Sequence, residues 1–264
     1  MIEKLSDVHL LLKLSFGLPV FEEMQLRSLH QMLITHLPNW SSGLTVAKRE
    51  HDRKHCSVGP EESLAEAVNK VAPARRGIGN AVLAGRYDGL SFYMNSCSST
   101  LPPELNGIGI EITGISAVEG KTPWSWAWSF LENAAVHFPL RYARACISEE
   151  FNAKNMVSDE NGTRAIGVQL DDALPGIYWL NYFGSPYMKL IGRHRLLSVP
   201  AHDVREISDG VFMALDATPM GWASDGYKAN ERAVIEHIGW HYVFSRAEPD
   251  RKTVAPDFRA DSEF

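Results

Sequence analysis

Residues 176–183 carry bulky side chains on both faces of an extended chain: Ile177, Trp179 and Phe183 on one, Tyr178, Leu180 and Tyr182 on the other. A strand that is apolar on both faces is stable only with a packed layer on each. This segment therefore demands a sheet covered on both sides, and a chain of 264 residues is long enough to supply the cover.

Elsewhere the periodicities are those of short strands and a few helices. Val8, Leu10, Leu12 and Leu14 alternate, which predicts a first strand with one buried face. Leu26, Leu29, Leu33 and Leu37 follow helical spacing up to Pro38. A second helix is predicted over 60–72, with Pro60 at its start and Leu64, Ala67, Val68 and Val71 on one stripe. Leu90, Phe92 and Met94 alternate, as do Ile108, Ile110 and Ile112, and the turn-rich stretch 101–107 between them predicts an antiparallel meander. Thr122-Pro123 opens a helix with Trp124, Trp128, Leu131, Ala135 and Phe138 on one stripe. Trp126 and Phe130 lie off that stripe, so this helix needs cover on two sides. Further strands are predicted over 141–147, over Ile166, Val168 and Leu170 after the turn 159–162, and over Val211, Met213 and Leu215. Ser185-Pro186 caps a short helix ending at Gly192, and a last helix covers 228–242. The strands come in runs, with helices unevenly placed between them. This pattern predicts an α+β architecture: a mixed, mainly antiparallel sheet with packed helices. It is either one compact domain over 1–248 or two closely packed lobes dividing near 118–123, followed by a polar, mobile tail over 249–264.

The net charge of −6 argues against nucleic acid as the main ligand, because phosphate recognition needs a basic face. Three cysteines, Cys56, Cys97 and Cys146, are an odd and widely spaced set, which fits reduced thiols in a cytoplasm better than a disulfide framework. The apolar run 8–14 is interrupted by Lys13 and is too short to span a bilayer, so no membrane role is expected.

Candidate catalytic groups fail one by one. His237 and His241 stand four apart, but the residue after His237 is Ile238, where a zinc protease places its glutamate. His51, His55 and Cys56 are interleaved with Arg49, Arg53 and Lys54, which repel a cation. The glycine-flanked Ser224 sits in a stretch one residue too long for a nucleophile elbow. Gly77-Ile78-Gly79 lacks the third glycine of a dinucleotide loop and follows Arg75-Arg76 instead of an apolar strand. Glu119-Gly120-Lys121, with Asp88 upstream, matches the acid-x-lysine core of metal-dependent nucleases, but it runs straight into Thr122-Pro123 and not along a strand. No enzyme activity, cofactor or metal is therefore expected; a metal-dependent hydrolase or nuclease using Glu119 and Lys121 is the alternative. The remaining signal is charge. Glu149, Glu150, Asp159, Glu160, Asp171 and Asp172 face only Lys154 and Arg164 within 148–172, which predicts an acidic surface for a basic protein partner.

The segment 174–192 resembles the signature region of type VI secretion immunity proteins, in particular the immunity protein 52 family. Gly176, Tyr178, Trp179, Asn181, Gly184, Tyr187 and Gly192 carry the likeness. The resemblance implies an antitoxin made beside a type VI effector of nuclease type. Such a protein would reside in the cytoplasm and act by a stable complex, not by chemistry. A non-enzymatic adaptor of a secretion locus is a further alternative.

Overall fold

The computed structural model describes residues 9–16, 23–36, 45–47, 55–57, 66, 81–87, 90–96, 107–112, 123–160 and 162–258. The helix predicted over 60–72, Asp88, Glu119-Gly120-Lys121 and most of the boundary region 118–123 lie outside these residues. The chain divides into two compact units, Met1–Pro139 and Leu140–Phe264.

The first unit contains β1 (Leu10–Phe16), α1 (Glu23–His36), β2 (Thr45–Ala47), β3 (His55–Ser57), β4 (Ala81–Tyr87), β5 (Leu90–Ser96), β6 (Gly107–Ile112) and α2 (Pro123–His137). Its strands lie in the order β1-β6-β5-β4-β2-β3, and every described pairing is antiparallel. β5 and β6 form the predicted antiparallel pair, and β4, which the sequence reading did not include, extends it. Leu12 stands opposite Ile110 and Leu14 opposite Ile108, so the buried Leu10, Leu12, Leu14, Ile108 and Ile110 share one face. Both sides of α2 are covered. Phe138 meets Phe16 of β1 edge-on at 5.4 Å, while Trp126 stacks on Phe130 at 4.9 Å. The Trp126 indole also donates to the carbonyl of His36, at the end of α1, at 3.1 Å. The off-stripe tryptophan is thus an α1 contact.

The second unit contains β7 (Leu140–Ile147), α3 (Ser148–Asn155), β8 (Met156–Asp159), β9 (Gly162–Ala165), β10 (Leu180–Phe183), α4 (Ser185–Tyr187), a π turn (Met188–Gly192), α5 (Arg193–Leu197), β11 (Asp203–Ile207), β12 (Gly210–Ala214) and α6 (Asp225–Ile238). Four of its strands lie in the antiparallel order β11-β12-β10-β7. Among the described residues, β8 and β9 pair only with each other. All four residues of β10 are buried, which is the double cover that residues 176–183 demanded. Only the last half of that segment joins the ladder. Ahead of it, the Asn181 side chain accepts from the Tyr178 amide at 3.1 Å and donates to the Tyr178 carbonyl at 2.7 Å, taking the place of a neighbouring strand.

Three sequence expectations are corrected here. The strand over Ile166, Val168 and Leu170 is absent, because the pairing is spent between β8 and β9. That ladder runs from Asp159–Gly162 to Met156–Ala165, and the chain then turns. The last helix stops at Ile238, since Gly239 adopts a φ of +118°, and a short 3-10 turn (Trp240–Tyr242) follows. Residues 251–258 do not form a free tail. Val254 bonds the His241 carbonyl at 2.8 Å, Thr253 bonds that of Asp172 at 2.8 Å, and Phe258 is buried beside Tyr187 and under the Arg141 guanidinium. A polar composition concealed one anchoring aromatic residue.

Candidate binding surface

The structure separates the six acidic candidates. Glu149, Asp159, Glu160, Asp171 and Asp172 are exposed, but Glu150 is fully buried and leaves the predicted surface. The reason is local. β7 hands directly into α3, so Glu150 falls on the inner side of that helix, against α6. Its Oε1 accepts from Lys154 Nζ at 2.7 Å and from the Tyr227 hydroxyl at 3.0 Å. Lys154 Nζ also donates to Glu231 at 2.8 Å and to the Ile177 carbonyl. An ammonium has three protons to donate, and all three are used.

The surroundings of this cluster are tightly coupled. Burial pushes the Glu150 carboxyl above the ordinary carboxylate range, and the pull of Lys154 and the Tyr227 hydrogen bond only partly offsets it. Burial works against the Lys154 ammonium, but Glu150 and Glu231 outweigh it and hold the group above its usual value. Burial also pushes the Cys146 thiol up to about 12, which makes it an inert core group. Arg144 lies over the rings of Phe151 and Tyr178 at 4.6 and 4.7 Å and donates to the Tyr178 hydroxyl at 3.1 Å. Tyr178 in turn donates to Asn155 Oδ1. Glu150 Oε2 and the Tyr142 hydroxyl are buried without a partner among the described residues. The Glu150–Lys154 pair was visible in the sequence as i,i+4 spacing on a helix, whereas Glu231 and Tyr227 carried no signal.

Three of the remaining acids come together. Asp159, Asp171 and Asp172 line a groove of about 740 Å³ between the β8–β9 hairpin and the segment 249–255. Val157, Arg164 and Ile166 complete the hairpin wall, and Arg251, Lys252 and Thr253 form the opposite one. Gly167 lets the floor close, because a Cβ there would lie 2.1 Å from the Phe244 ring. Arg164 pairs with Asp159 at 3.5 Å and Arg251 with Glu248 at 3.1 Å, while the Asp171 and Asp172 carboxylates make no bond among the described residues. The groove is thus of mixed charge, with three of the predicted acids beside Arg164, Arg251 and Lys252. Glu160 stands at the hairpin tip and Glu149 in the first turn of α3, bonded to Ser148 at 3.1 Å.

Ser224, His237 and His241 have structural partners. Ser224 is the N-cap of α6 and accepts from the Tyr227 amide at 3.2 Å. His237 lies 3.0 Å from the Arg195 carbonyl and 3.1 Å from the Ser198 hydroxyl, and the helix break at Gly239 takes His241 off the same face, onto the ring of Tyr242. Among the described residues no helix is long and apolar enough to cross a membrane.

The molecule is thus an α+β protein whose second unit has a buried polar cluster around Glu150 and Lys154 and an open, ribbon-walled groove. Its fold is similar to that of the solved Pseudomonas aeruginosa T6SS protein PA0821, with a TM-score of 0.59 over 92% of this chain and 84% of that one. At 14% identity the likeness is one of fold. No protein-family model matches the chain. No curated protein matches it in sequence.

Proposed function

We propose that this protein serves a type VI secretion system as a non-enzymatic immunity protein. In this reading it binds a cognate toxin of nuclease type in the cytoplasm and holds it inactive. The observation that carries the reading is the shared fold with a type VI secretion protein over most of both chains. The likeness of residues 174–192 to immunity protein 52 supports the finer assignment, and the open groove supports action through a surface. The saturated state of Lys154 and the capping role of Ser224 fit a protein that works by contact. An inhibitory complex of this kind buries roughly 1,600 Å² or more. Co-expression with the toxin encoded beside it is the test. Survival of the cells and co-purification of an equimolar complex are expected. Cell death together with an empty pull-down would overturn the proposal. Survival without a complex would point to an adaptor or an enzyme instead.

A further inference from the structure

The β8–β9 ribbon has a free edge whose geometry can be read from its register. Ile166 N bonds Asn155 O at 2.7 Å, continuing the ladder of Val157–Arg164 and Asp159–Gly162. Bonded pairs alternate with unbonded ones in an antiparallel ladder, so the peptide groups of Thr163 and Ala165 point away from β8. All four residues of β9 are exposed, and no backbone bond from outside the hairpin reaches Thr163 or Ala165 among the described residues. The strand carries no proline or lysine that would block pairing. Val157, Asp159 and Arg164 share the ribbon face that walls the groove. A strand added beside β9 would therefore send every second side chain onto that same face, which walls the groove that Asp171 and Asp172 also line.

We propose that the groove receives an extended segment of the partner by strand addition to β9, with a lysine or arginine of that segment reaching Asp171 and Asp172. This rests on the toxin-binding reading for the identity of the partner, though not for its chemistry. Main-chain bonds from Thr163 and Ala165 supply affinity, and the groove selects the inserted side chains. Charge complementarity decides the sign. The lining carries three carboxylates and three cations, but Arg164 is paired with Asp159 and Arg251 with Glu248 outside the groove, which leaves the Asp171 and Asp172 carboxylates beside Lys252 as the unpaired charges of the lining.

The test uses the full chain, two kinds of variant and two probes. Ala165→Pro removes an outward N–H and obstructs an added strand, while the bonds of Arg164 and Gly162 to β8 remain. Asp171→Lys with Asp172→Lys reverses the charge without touching the backbone, and carries the test should the proline variant fold poorly by circular dichroism. The first probe is a displayed library of random peptides. Enriched peptides should carry basic residues at alternate positions, and either variant should weaken their binding by roughly tenfold or more. Absence of enrichment, or enrichment indifferent to both variants, overturns the inference. The second probe is the neighbouring toxin. Loss of its binding in the same variants supports strand addition, whereas a toxin complex unaffected by them overturns it and leaves the proposed function standing. Peptide capture by a chain that ignores the toxin upholds the groove chemistry and sinks the toxin reading instead.

Discussion

Glu150 shows how one buried carboxyl couples stability to pH. Its folded pKa lies above the value it has in the unfolded chain, so the folded protein holds this proton more tightly. The stabilising contribution is complete below the ordinary carboxylate range and is lost as pH rises through the raised folded value. Urea unfolding at a series of pH values should show this decline in the wild type, and Glu150→Gln should flatten it. A variant with an unchanged pH slope would place the coupling elsewhere. Glu150→Ala should cost about 3 kcal/mol in the same measurement, since it leaves the Tyr227 hydroxyl buried and Lys154 with one carboxylate fewer. A conservative exchange and a truncation at one site thus test different things: the first the charge, the second the network.

At the scale of elements, α6 depends on its first turn and the sheet on its covering segments. Ser224→Ala should cost about 1 kcal/mol, read as a lowered denaturation midpoint, because the Tyr227 amide loses its acceptor. Phe258→Ala should cost about 3 kcal/mol by emptying a site against Tyr187 and Arg141; a loss under about 0.5 kcal/mol would mean that 251–258 lies loosely on the core. These elements also show what could be read before the structure. Alternation found β1, β5, β6 and β12, and the tryptophan stripes of α2 announced cover on two sides, because apolar residues recur at the period of each element. β11 was not legible because none of its side chains is buried, and neither was the docking of 251–258, because one phenylalanine makes no periodic pattern. The acidic cluster was legible as charge but not as geometry. Nothing in the run Ser148-Glu149-Glu150 says that only the second glutamate turns inward, since that choice is made by Tyr227 of α6, 77 residues further on.

For the whole molecule, the net charge of −6 matters most at encounter. If the partner presents basic groups, Asp171→Lys with Asp172→Lys should slow association several-fold at about 0.05 M salt and much less at about 0.5 M, where the screening length falls to roughly 4 Å. Stopped-flow mixing with the toxin would read this directly, and equal slowing at both salts would mark the pair as short-range contacts instead. The docked segment 251–258 carries a further consequence, one of timing. One wall of the groove and one aromatic plug of the core both come from residues that follow every regular element of the second unit. On the ribosome, then, the nascent chain can pair its strands before it can engage anything through the groove. Within the second unit, that wall of the groove is therefore made after the strands that support it.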